Sequence, residues 1–219
     1  MKILIITIHA DPTIPPGARE GGGTHLYINE LINMLIYRKA EALIITRKAS
    51  PGNETFTYGD VKIRRMRLGP EATWDKNNFD DREGELLHMI QDIVADERFQ
   101  PDLIHSVYWH SGRAAAALSD KWKKPFIHSV ISAGMRKKIT GYPVSEQRLA
   151  TERLIFGSAK IIIAVSVQEK DDLINYYQVS SSKVKVIGRA VDQLFLASLY
   201  DDDGTLLPLT EPRIQGNHE

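Results

Sequence analysis

The chain has 219 residues, enough for one well-covered core. Its 28 lysines and arginines balance 28 aspartates and glutamates, so no global field draws it to nucleic acid or an anionic lipid surface. The absence of cysteine excludes disulfides, thiolate metal sites and cysteine nucleophiles, and it fits a reducing compartment.

The isoleucine-rich run from Ile3 to Ile8 reads as a strand buried on both faces. A loop follows, then Gly21, Gly22 and Gly23. Beyond them Ile28, Leu31, Ile32 and Leu35 recur at helical spacing, so a helix begins near Thr24. Ala42 to Thr46 is a second apolar run, and Val61 to Arg67 partly alternates, as an edge strand does. The Gly/Pro-containing stretch between them reads as a polar connection. Residues from about 80 to 97 form a helix with Leu86, Leu87, Ile90 and Val94 on one face. Further strands are expected at Leu103 to Val107, Pro125 to Val130, Lys160 to Val165 and Val184 to Ile187. Helices are expected from Ser111 to Asp120, Val144 to Gly157 and Val167 to Tyr177. This alternation predicts an α/β fold, a Rossmann-like doubly wound and mostly parallel sheet with helices on both faces. From Ser198 the periodicity stops, and the residues read as a polar tail. No apolar run approaches the roughly 20 residues needed to span a bilayer. The apolar start carries no basic leader or cleavage site, so the expectation is a cytoplasmic protein with no transmembrane segment.

Ligands of open parallel sheets sit beyond the carboxyl ends of the strands. The residues at those ends are therefore the candidates. Gly21, Gly22 and Gly23 leave backbone N–H groups bare at a helix N-terminus, a cradle for phosphate or sugar oxygens, or they simply turn the chain. Tyr108 and Trp109 follow a buried strand and either plate a sugar or cap the core. Arg136 and Lys137 either neutralise a phosphate or lie in solvent. His9 ends the first strand and faces the crevice. His105 and His128 alternate with apolar strand residues and read as satisfied core histidines. Glu152, four residues after Arg148, reads as an intrahelical ion pair rather than an acid catalyst. No His/Asp/Glu spacing resembles a metal site, and no cofactor is implied. A dinucleotide-binding oxidoreductase is disfavoured, because the glycines do not give Gly-x-Gly-x-x-Gly.

Glu20-Gly-Gly-Gly23, Pro101 to Gly112, Arg148-Leu-Ala-Thr-Glu152 and Val186 to Asp192 with Phe195 occur in an order and spacing that carry a resemblance. Together they resemble the N-terminal domain of retaining GT-B glycosyltransferases of family 4. The nearest branch is that of sucrose-phosphate synthase, sucrose synthase and the mycothiol-pathway N-acetylglucosaminyltransferase. The resemblance implies a single GT-B lobe over residues 1–196, followed by a polar tail over 197–219, a truncated linker or disordered. It implies an acceptor-side domain whose glycine-rich loop nears the donor phosphates, with most nucleotide-sugar contacts supplied by a second, C-terminal domain. The implied partners are a nucleotide sugar, a sugar acceptor and a separate C-terminal half, and the implied state is inactive alone. The alternative is a non-catalytic sugar- or phosphosugar-binding module, or a folded gene remnant.

The departures from the family pattern favour weakened catalysis. Val107 and Ile131 stand where this branch has histidines, and neither can hydrogen-bond a sugar. Lys39-Ala40 replaces a Gly-His pair, and Gly188-Arg-Ala190 replaces Pro-x-Gly. Tyr108, Trp109, Gly112, Lys137 and Glu152 match.

Overall fold

The apolar run at the start of the chain becomes β1 (Lys2–Thr7), the strand about which the sheet is built. In a computed structural model, which describes residues 1–14, 22–69 and 82–188, β1 is followed by α1 (Gly23–Tyr37) and β2 (Glu41–Arg47). Next come β3 (Thr55–Tyr58), β4 (Val61–Met66), α2 (Glu83–Asp96) and β5 (Leu103–Val107). Then follow α3 (Trp109–Trp122), β6 (Phe126–Ser129), α4 (Gly134–Ile139) and α5 (Glu146–Ser158). The last elements are β7 (Ile161–Ala164), α6 (Val167–Tyr177) and β8 (Val184–Val186). Gly21, Ala190 and the boundary at residue 196 with its tail lie outside the described residues.

The sheet order is β3-β4-β2-β1-β5-β6-β7-β8, and every pairing is parallel except β3 with β4. The chain leaves β1 toward β2 and later returns on its other edge as β5. The order therefore reverses between β1 and β5, the place where an open α/β sheet forms a crevice. β1 registers Ile5 against Ile44 of β2 and His105 of β5.

Alternation along the strands sends side chains to two cores. Ile5, Ile44 and Ile63 pack with Ile28, Ile32 and Leu35 of α1 on one face. Leu4, Ile6, Leu43 and Ile45 pack with residues of α2, α3 and α5 on the other. The doubly wound sheet expected from the alternating pattern is present.

Two elements differ from the sequence reading. The connection before β4 contains β3, whose Thr-Phe-Thr-Tyr sequence pairs antiparallel with β4 to make a hairpin edge. The stretch after β6 is not all loop, because α4 carries Arg136 and Lys137. A six-residue helix is too short to show periodicity. α3 also begins two residues earlier than expected, at Trp109. Lys39 sits at φ +50° just before β2, where a glycine would adopt that backbone without strain.

His105 and His128 lie within the sheet and are buried. His105 Nε2 is 2.8 Å from Ser129 Oγ, and His128 Nδ1 is 2.9 Å from Ser106 Oγ. Burial pushes His105 down to about 4 and His128 to about 3, the latter helped by the nearness of His105. Both are neutral in the folded chain, whereas an unfolded histidine titrates near 6.5. The stability tied to them is fully present above about pH 6.5. It drains as pH falls toward 4, by about 1.4 kcal/mol per pH unit for each histidine. Urea unfolding at a series of pH values should show this decline. His105→Gln, which keeps a donor near Ser129 without a titrating ring, should shallow the slope between pH 6.5 and 4 by one proton's worth.

Candidate functional site

At the carboxyl ends of β1 and β5 the order of the sheet reverses. Ile8 N–H donates to Ser111 Oγ at 3.0 Å, tying the loop after β1 to the first turn of α3. This brings His9 against Tyr108, with ring centroids 4.2 Å apart. Tyr108 has φ +69° and ψ 158°, a conformation nearly confined to glycine. It is held there by its N–H, which donates to Ser129 O at 3.0 Å, and by its carbonyl, which accepts from Gly112 N–H at 3.0 Å. The turn swings Trp109 and His110 inward, where their ring centroids are 3.6 Å apart. Tyr108 and Trp109 are both buried and belong to the main core beside the switch point.

Beside them lies Arg148 of α5. Its guanidinium lies 5.4 Å from the Tyr108 ring centroid and 5.7 Å from that of Trp109. Arg148 Nη2 donates to Ser132 O at 2.8 Å, and Nε donates to Glu152 Oε1 at 2.9 Å. Glu152 is buried, and its carboxylate gathers further donors. Gly134 N–H reaches both oxygens at 3.0 and 2.9 Å, and the Tyr177 hydroxyl donates to Oε2. Burial, with the nearby Glu152 carboxylate, pushes the Tyr177 hydroxyl above its ordinary value, which fixes it as the donor. That hydroxyl in turn accepts from Met135 N–H at 2.9 Å. A Cβ on Gly134 would lie 2.7 Å from Glu152 Oε2, so the close approach requires glycine. The Arg148–Glu152 ion pair foreseen from the sequence is thus a buried node that joins α4, α5, α6 and the Tyr108 and Trp109 rings.

Next to this node a cleft of about 280 Å³ opens at the ends of β6 and β7, with Ile131, Arg136, Lys137, Ser166 and Asp172 among its lining. Arg136 Nε is 3.2 Å from Asp172 Oδ2, so part of its charge is already balanced. Lys137 pairs with no carboxylate among the described residues. Ile131 adopts φ +63°, an uncommon strain for a β-branched residue, and contributes an apolar wall to the cleft. Val107 is fully buried with α1 and faces the core rather than the crevice.

Gly22 is the N-cap of α1, at φ −90° and ψ −175°, and it is exposed. No described atom lies within 4 Å of where its Cβ would be. Neither backbone strain nor packing against the described residues requires glycine there. Gly23 opens the helix and is also exposed. α1 itself is anchored by Tyr27, whose hydroxyl is 2.7 Å from Ser129 Oγ, the same oxygen that His105 meets.

The structure therefore sorts the candidate residues into two strand-end groups and a pair at the start of α1. His9, Tyr108 and Trp109 meet at the switch between β1 and β5. Arg136 and Lys137 share the cleft at β6 and β7, and Arg148 links the two groups. Gly22 and Gly23 are at the start of α1. Sequence reasoning missed two contributors. Tyr27 stands one residue before Ile28 on the packed side of α1. Arg65 occupies the same strand face as Val61 and Ile63, a position that alternation marks as buried. Arg65 Nε donates to Asp11 Oδ2 at 2.8 Å, and its other nitrogens donate to Asn53 O at 2.8 Å and Ser50 O at 2.7 Å. That fan fixes the loop after β1. Among the described residues no three His, Asp or Glu side chains gather as a metal would need.

The buried node makes a stability prediction. Arg148→Met leaves the Glu152 carboxylate buried without its cation and should cost about 3–5 kcal/mol in chemical denaturation. Adding Glu152→Gln should recover part of that loss, giving a coupling energy well outside the additive range of about 0.5 kcal/mol.

Comparison with known proteins gives a consistent picture. The profile of a glycosyl transferase 4-like domain matches residues 22–190. A D-inositol 3-phosphate glycosyltransferase of Jonesia denitrificans is 26% identical over 211 residues, covering 92% of this chain and 49% of the relative. The protein of that name from Thermobifida fusca is 30% identical over 199 residues, covering 87% and 46%. The chain thus spans about half the length of these relatives. Among solved structures, sucrose-phosphate synthase from Thermosynechococcus elongatus superimposes with a TM-score of 0.80 at 22% identity, over 91% of this chain and 50% of that one. Anabaena HepE, solved with UDP and glucose, gives 0.55 at 15% identity over 88% and 45%. At these identities the structural likeness establishes the fold.

Proposed function

The chain belongs to the glycosyl transferase 4-like domain family, and from that premise we propose that it is the acceptor-side lobe of a glycosyltransferase acting with a second, donor-binding lobe. The reaction moves a sugar from a nucleotide-sugar donor to an acceptor held at the strand ends. The observation that carries this reading is Gly22. It is an exposed glycine at a helix N-terminus beside the crevice, in a conformation and a described surrounding that would accept a side chain. At the positive end of the α1 dipole, it leaves a phosphate or sugar oxygen room to approach the first backbone N–H groups. UDP and glucose bound to HepE make a UDP-sugar the first donor to test. The inositol phosphate named in the relatives makes a phosphorylated polyol the first acceptor.

In this reading the bare N–H groups at the start of α1 and the positive end of its dipole meet phosphate or sugar oxygens. His9 stands at the switch point against Tyr108. Lys137 supplies an unbalanced cation in the cleft at β6 and β7. Catalysis rests on electrostatic stabilisation and positioning that the two lobes complete together.

Ile131 favours a second reading, a lobe that binds a sugar or phosphosugar without transferring it. It lines the cleft with an apolar side chain where the family branch has a hydrogen-bonding ring. Sugar transfer separates the two. This chain is mixed with the separately expressed C-terminal half of the Jonesia denitrificans relative, and UDP release from UDP-sugars is measured with inositol phosphate as acceptor. Turnover by the mixture but by neither half supports the acceptor-lobe reading. A ligand-dependent rise in melting temperature without turnover supports the binding module, since a ligand at about 100 times Kd adds about 2.7 kcal/mol. Gly22→Ser should leave the melting temperature unchanged or slightly higher, because serine is a favoured N-cap. It should nevertheless lower ligand affinity or turnover at least about tenfold, a loss of about 1.4 kcal/mol in binding.

A further inference from the structure

A second cleft, of about 560 Å³, opens at the opposite pole of the sheet, where α2 and α3 end and β5 begins. Phe99 and Trp122 form aromatic walls, and Val94 and Ala95 of α2 continue the apolar lining. Both aromatic rings are half-buried and rest on the main core, which holds them in place. Arg98 and Lys124 also line the cleft. Neither pairs with a carboxylate among the described residues. A third cation, Lys121, donates to Oε1 of Gln91 in the lining.

Cations near helix C-termini commonly serve only to cap the last carbonyls. Here much of that work is done by the backbone. Ile93 O accepts from Glu97 N–H at 3.0 Å, Val94 O from Phe99 N–H at 3.0 Å and Ala95 O from Arg98 N–H at 2.9 Å. Ser119 O of α3 accepts from Lys124 N–H at 3.2 Å. The acidic residues of α2 nearest in sequence, Asp92 and Asp96, do not line the cleft. The cleft is thus an apolar, aromatic recess with uncompensated positive charge, of a volume that suits a small organic ligand.

We propose that this recess binds a small amphipathic anion, an aromatic body carrying one acidic head group. The ring system stacks between Phe99 and Trp122, and the head group meets Arg98 and Lys124. The recess lies at the amino ends of the strands, away from the crevice where transfer is proposed. A ligand there acts on the lobe without competing for its substrate positions.

The test uses the full chain and 8-anilinonaphthalene-1-sulfonate as probe, followed by its fluorescence and by titration calorimetry. The expected result is one saturable site per chain. Arg98→Glu with Lys124→Glu should weaken binding at least about tenfold, and raised salt should weaken it further. N-phenyl-1-naphthylamine, which has the rings without the sulfonate, should bind at least about tenfold less tightly. Ala95 is exposed, so Ala95→Trp should fill the recess and abolish binding while circular dichroism and the urea midpoint stay unchanged. No saturable binding, several equivalent sites, or binding indifferent to both Ala95→Trp and charge reversal would overturn the proposal. Excess UDP and inositol phosphate should leave probe affinity unaltered. Direct competition would place the probe in the transfer crevice and equally overturn it.

Discussion

A parallel strand covered on both faces can carry polar chemistry only at its ends, and β1 is such a strand. It pairs with β2 on one edge and β5 on the other, with Ile5 packed toward α1 and Leu4 and Ile6 toward α2 and α3. Its length is thus committed to the core. The change of direction from β2 to β5 leaves a crevice at its carboxyl end, and the loop after β1, the start of α1 and the start of α3 converge there. The candidate site follows from that topology.

Buried polar knots hold those converging pieces at fixed positions. Arg65 spreads its donors over Asp11, Ser50 and Asn53 and so pins the loop after β1. Ser129 joins Tyr27 of α1 to His105 of β5. Glu152 joins α4, α5 and α6 through Gly134, Arg148 and Tyr177. Each knot takes charge or hydrogen-bonding groups out of water, which is costly unless their partners are in place. Such knots tolerate few alternative arrangements, and a binding rim benefits from that rigidity more than the core does.

Much of the architecture was legible because alternating strand and helix periods carry it. The strands of the parallel sheet, the main helices and the core histidines are where the pattern puts them. β3 was missed because a four-residue strand between turn residues carries too little periodicity, and α4 was missed because six residues make less than two helical turns. Around the candidate site, the burial and partners of the residues proposed from sequence came only with the fold. Tyr108 and Trp109 read as open plates or core caps, and their burial places them in the main core. Arg148 read as the partner of Glu152, and its placement over both aromatic rings comes from the packing of α5 on α3.

Sequence by itself determined the fold class, the direction of most strands and the family. Hydrophobic period and local glycine placement are properties of neighbouring residues, so they survive in one dimension. Tertiary structure decided the use of each polar group: which arginine is locked by a carboxylate, which lysine keeps its charge unbalanced, and which glycine leaves space open. Those outcomes depend on burial and on partners distant in the chain, such as Asp11 with Arg65 or Gly134 with Glu152. Spacing along a sequence carries no record of the distance between elements that meet only when the sheet has formed.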